Sequence, residues 1–136
     1  MKTAEEIQVS VSEVVDHLRI TGEFAPALRE VVRRKIASKA AQAIGIDATD
    51  EELQKASNEF RVTNGLRKAG DTLKWLETNG VSLEAFETFL QTNILIQKLK
   101  DQLEKKADKE RYLSSKVTKK MIRDHIYRDW LDEQMK

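Results

Sequence analysis

The chain has 136 residues, 35% of them charged, 40% hydrophobic and 6% aromatic, with one proline, five glycines and no cysteine. That length suits one hydrophobic core and is short for two, and a chain without cysteine can form no disulfide, thiol nucleophile or thiolate-held metal site. The formal net charge of +1, with basic and acidic residues interleaved, argues against nucleic acid as a partner.

High charge with little glycine, proline or aromatic content fits an all-α domain, and Val, Ile and Thr fall inside helical periods rather than in alternation. No run approaches the roughly 20 apolar residues needed to span a bilayer, so no membrane insertion is expected. Met1 to Glu6 has no apolar core of a secretory signal. A cytoplasmic location is the default expectation, with a periplasmic or extracytoplasmic one if a signal had been trimmed.

Residues 1–9 read as a loose leader. Ser10-Val11-Ser12-Glu13 is a capping box that opens a first helix, whose stripe of Val14 and Leu18, with Val11 and Val15 beside them, is expected to be buried and ends near Thr21-Gly22. Pro26 is expected to open the second helix, where its missing N–H costs nothing. Leu28, Val31, Val32, Ile36, Ala40, Ala43 and Ile44 give that helix an apolar face, and Gly45 stops it. Ala37, Ala40 and Ala41 would let another helix come close. Thr49-Asp50-Glu51-Glu52 is a second capping box, and the helix behind it carries Leu53, Ala56, Phe60 and Val62. A short helix over Thr72 to Glu77 closes at Asn79-Gly80.

The run from Gly80 to Leu99 is the most apolar stretch and the expected centre of the fold. Ser82 caps it, Glu84 favours its positive end, and Leu83, Phe86, Leu90 and Ile94 recur at helical spacing. Phe89, Ile96, Leu99 and Leu103 widen the stripe. Beyond it, residues 104–116 form a charged connector that breaks at Ser114-Ser115. A last helix, Val117 to Gln134, places Met121, Ile122, Ile126, Trp130 and Leu131 on one side. The expected fold is an all-α, compact orthogonal bundle of five to six helices, with a long central helix and a C-terminal helix packing back, in cis or swapped. Residues 10–136 are expected to form a single helical domain.

The residues that carry chemistry are sparse. His17 and His125 stand alone on their helices, without the nucleophile or carboxylate that a catalytic histidine needs. The carboxylates Glu5-Glu6 and Asp50-Glu51-Glu52 fall at helix starts, where dipole and cap chemistry accounts for them. The basic cluster Arg29, Arg33, Arg34 and Lys35, like Lys116, Lys119, Lys120 and Arg123, reads as a solvated helix face. No catalytic residue, metal site or cofactor is expected, and the chain is not read as an enzyme.

Three stretches together resemble the non-catalytic helical domain of the SurA/PrsA-type parvulin chaperones. They are the long alanine-rich helix Leu28 to Ile44 followed by Ile46-Asp47-Ala48-Thr49-Asp50-Glu51-Glu52-Leu53, the step Trp75-Leu76-Glu77-Thr78-Asn79-Gly80-Val81-Ser82-Leu83-Glu84-Ala85-Phe86, and the end Ile126-Tyr127-Arg128-Asp129-Trp130-Leu131-Asp132-Glu133-Gln134. In that family a prolyl-isomerase domain sits between the long helix and the returning one. Here only the charged connector stands in its place, too short for a sheet domain, so the resemblance implies polypeptide binding without isomerase activity. The partner implied is an unfolded or extended polypeptide or precursor peptide, held in an apolar cleft beside the central helix. The candidate peptide-binding residues are Trp75, Phe86, Phe89, Leu90, Ile94, Tyr127 and Trp130. The alternative is a homo-oligomerising adaptor, with a homodimer formed through a swapped last helix.

Overall fold

The computed structural model describes residues 7–107 and 119–136. The first six residues of the leader, most of the charged connector, the break at Ser114-Ser115, Lys116 and Val117 lie outside them. Among the described residues there are six α-helices and no strand: α1 (Val11–Thr21), α2 (Phe24–Ala43), α3 (Asp50–Thr63), α4 (Asp71–Thr78), α5 (Leu83–Lys106) and α6 (Lys119–Gln134).

The helix boundaries follow local chemistry. Ser10 accepts from the Glu13 backbone N–H, and the Glu13 carboxylate accepts in return from the Ser10 N–H, so α1 begins with both halves of the box made. Thr49 and Glu52 do the same for α3. Ser82 caps α5 through the Ala85 N–H. At the end of α1, Gly22 adopts φ 80°, which lets the Glu23 N–H turn back to the Leu18 carbonyl at 2.9 Å. Helix α2 starts at Phe24, two residues before the expected position, so that Pro26 lies inside the first turn. It is tolerated there because first-turn N–H groups have no carbonyl to bond within the helix.

The chain divides into two compact units, residues 1–34 and 35–136, with the boundary inside α2. The first unit holds α1 and the opening turns of α2, and no residue of α1 is buried. Arg19 lies over the Phe24 ring at 4.7 Å, bracing the turn between the two helices.

The second unit is arranged around α5. Its main helix packings bring α3, α4 and α6 against that one helix. Phe86, Leu90, Leu95, Ile96 and Leu99 are buried along its length, and Leu95 is 1% exposed. At the C-terminal half, Leu95, Ile96 and Leu99 meet Ala37 and Ala41 of α2, with Tyr127 and Trp130 of α6 packed on the same cluster. Ile122 and Ile126 of α6 join Leu103 and Ala107. The last helix therefore packs back on α5 of its own chain. At the N-terminal half, Phe86 and Leu90 form a second cluster with Leu76 of α4, flanked by Leu53, Ala56 and Phe60 of α3 and by Trp75 and Val81.

The buried face of α2 differs from the expected one. Leu28, Val31, Val32 and Ile44 are exposed, whereas Ala37 and Ala41 are 0% exposed. The reason is steric. Leu95, Ile96 and Leu99 already fill the contact, and only small side chains let a second backbone come that close.

Truncating the best-buried leucine should be costly. Leu95→Ala is expected to lower unfolding stability by about 3 kcal/mol, and Leu28→Ala by less than about 1 kcal/mol, in urea titrations followed by helical circular dichroism.

Candidate functional site: a groove between α3 and α5

Helices α3 and α5 run antiparallel. At one end Lys98 Nζ lies 2.6 Å from Glu52 Oε1, and at the other the Phe60 and Phe86 rings are 4.8 Å apart at 65°. Between the helices is an open groove of about 620 Å3. Ala56, Phe60, Leu90 and Ile94 supply its apolar lining, with Phe89 on the α5 side. Among the described residues Phe89 is the one aromatic side chain that stands as much as 50% exposed. Asn64, Asn93 and Gln97 add amide groups along the walls, and Glu52, Lys55, Glu59, Lys98 and Asp101 make a mixed-charge rim.

The seven residues singled out from the sequence fall into three places. Phe89, Leu90 and Ile94 line the groove. Phe86 is buried behind it, and Trp75 is half-buried with its ring edge-on to Phe60 at 5.0 Å and 80°. These two shape the frame on which the groove is built. Such edge-on aromatic pairs contribute about 0.5–1.5 kcal/mol beyond the area they bury. Tyr127 and Trp130 lie elsewhere, near-parallel at 6.4 Å, packed on the cluster of Leu95 and Leu99. They belong to the seam that fastens α6. The sequence reading did not assign Ala56, Phe60 or the amide residues to the cleft. The α3 stripe was visible, but nothing local shows that α3 lies alongside α5.

Polar ties fix the walls. Lys98 donates to Glu52 and also to the Asp47 carbonyl at 2.7 Å, pinning the start of α3 to the middle of α5. Glu52 thus serves its own helix cap and a neighbouring helix together. Its carboxyl is held at about 2 by the Lys98 hydrogen bond first, then by the Thr49 backbone N–H. From α6, Arg123 donates to the Gln97 carbonyl at 2.6 Å and pairs with Asp101 at 2.9 Å. Lys100 bonds Asp124 at 3.0 Å and sits 4.9 Å from the Tyr127 ring centre. The Lys100 bond also holds the Asp124 carboxyl below its ordinary value. The Arg123 and Lys100 ties fasten α6 to α5, with Arg123 reaching Gln97 and Asp101 at one end of the groove.

A second depression of about 600 Å3 lies toward α4, lined by Leu53, Leu73, Leu83 and the buried side of Phe86. It has no exposed aromatic ring. Among the described residues no three His, Asp or Glu side chains come together in a group able to hold a metal ion. His125 Nε2 lies 3.9 Å from Asp129 on its own helix. No helix among the described residues is long and apolar enough to cross a membrane. Comparison with models of known protein families, with curated proteins and with solved structures gives no match.

The Glu52 tie has a pH signature. A depressed carboxyl stabilises the fold fully above its ordinary value of 4.5, and that contribution is lost as pH falls toward about 2. Glu52→Gln is therefore expected to lower the urea midpoint at neutral pH. The gap from the wild type should narrow steadily between pH 4.5 and 2, as read from urea titrations across that window.

Proposed function

We propose that this chain is a non-enzymatic, chaperone-like module that holds unfolded or extended polypeptide in the α3–α5 groove. The observation that carries this reading is an open groove with an apolar lining and one half-exposed aromatic, Phe89, along its wall. A surface of that kind costs solvation free energy when bare and regains it when a partner covers it. Client side chains of Leu, Ile or Phe type would enter over Phe60, Leu90 and Ile94. Gln97 lines the groove and would serve a client backbone, whose own N–H and C=O groups need partners once water is displaced. The rim carries both signs of charge, so it selects no strongly charged client.

The size of the groove sets the strength of the hold. At about 25 cal/mol per Å2 of apolar area, two or three buried client side chains give a few kcal/mol, and the entropy of association takes much of it back. Micromolar, reversible capture follows. That is the range a holding chaperone uses, because a client must leave in order to fold. The same groove is consistent with the polypeptide-binding role that the resemblance to parvulin-chaperone helical domains implies.

The decisive measurement is fluorescence anisotropy of a labelled, permanently unfolded polypeptide. Phe89→Ala is expected to weaken binding by about 5–10-fold, corresponding to about 1–1.4 kcal/mol of lost apolar contact. Its urea midpoint should barely move, since Phe89 is half exposed. Trp75→Ala should instead lower stability, because its ring supports Phe60. Unchanged affinity in both Phe89→Ala and a Phe89→Ala/Ile94→Ala double variant would remove the groove from consideration.

A further inference from the structure

Helix α2 carries a face that a single copy of the chain leaves bare. Leu28, Val31, Val32, Lys35 and Lys39 recur at helical spacing and so share one side of this continuous helix. All five are exposed, the three aliphatic residues at 51%, 52% and 38%. Leu28 and Val32 stand nine positions before Ala37 and Ala41, which is about two and a half turns. Their face is therefore on the opposite side of α2 from the two alanines that pack on α5.

The charge on this face has one sign. Glu30 is the only acidic residue of α2, and at two positions from both Leu28 and Val32 it points to the other side. Among the described residues, Lys35, Lys39 and the flanking Arg29 have no carboxylate partner. Helix α5 differs, with Lys98 tied to Glu52 and Lys100 to Asp124. The cations of α2 are uncommitted and lie beside bare aliphatic surface.

That combination selects among partners. A nucleic acid would use the lysines and leave Leu28, Val31 and Val32 without cover. A membrane surface would use both, but one leucine and two valines fall short of the two strong anchors that stable attachment takes. A second amphipathic helix uses both at its own spacing. Its aliphatic ridge packs on the turn from Leu28 to Val32, and its carboxylates further along meet Lys35 and Lys39. The face runs about 17 Å from Leu28 to Lys39, so a helix of about four turns covers it.

We infer that the Leu28–Lys39 face of α2 docks an acidic amphipathic helix of a partner protein. None of its five residues lines the α3–α5 groove, so the docked helix and a groove-bound client use different side chains.

The test uses the full chain and a labelled synthetic helix of about 16 residues, with leucines on one face and glutamates beside them. Fluorescence anisotropy should show binding by the wild type that weakens as salt is raised from about 50 to about 500 mM. Lys35→Glu/Lys39→Glu should lower the affinity at least ~10-fold, and Lys35→Arg/Lys39→Arg should retain it. Leu28→Ser/Val32→Ser should lower it by a similar factor. These side chains are exposed, so helical circular dichroism should be preserved in every variant. An excess of unfolded polypeptide should not displace the acidic helix. Absence of binding at low salt, equal binding of a peptide with lysines in place of the glutamates, or full affinity after charge reversal overturns the inference. Displacement by the unfolded polypeptide overturns it too, because the helix would then occupy the groove. Binding of phosphatidylserine vesicles with none of the peptide overturns it in favour of a lipid surface.

Discussion

Helix α5 has apolar side chains around most of its girth, and no single neighbour can cover such a helix. Phe86 and Leu90 share one face near its start, and Leu95, Ile96 and Leu99 form a second buried group further on, so the two halves ask for different cover. The answers are unequal in kind. Two alanines of α2 meet the crowded middle, α6 covers the C-terminal half with Ile122, Ile126, Tyr127 and Trp130, and short α4 with part of α3 covers the N-terminal half. Every other packing choice in residues 35–136 follows from supplying those covers with elements of limited length.

The groove is the remainder of that arrangement. Helix α4 has 8 residues and reaches only the first turns of α5, while Arg123 and Lys100 hold α6 along its C-terminal half. Helix α3 touches α5 through Glu52 at one end and Phe60 at the other, and the strip between carries Ala56 opposite Leu90 and Ile94. Small against large leaves a trough. A bulkier side chain at Ala56 would fill it and would also remove the surface on which the proposed binding depends. The polar ties matter here in a particular way. They contribute modestly to stability on a wet surface, but they fix how α3 and α6 sit along α5.

The unit formed by residues 1–34 obeys a different logic. Its helix α1 is closed at both ends and has no buried residue.

The two capping boxes, the glycine turn at Gly22 and the long run behind Ser82 were legible in the sequence because they depend on residues three or four positions apart. Helix class, order and rough boundaries follow from such local chemistry, as does the centrality of α5, whose apolar content exceeds what one face can hold. The close approach at Ala37 and Ala41 of α2 was legible, but the exposure of Leu28, Val31 and Val32 was not. Leu28 and Val31 have the greater hydrophobicity, yet Ala37 and Ala41 are buried, because the bulk already supplied by Leu95 and Leu99 decides what fits opposite them. The candidate residues divided for the same reason. Phe89, Trp75 and Trp130 are alike as side chains, but one lines a groove, one props its frame and one fastens the last helix. Local sequence determines where helices start, stop and turn apolar. Only tertiary packing, through pairs such as Glu52 with Lys98 that lie far apart in the chain, decides which of those apolar faces is spent on the core and which is left for a partner.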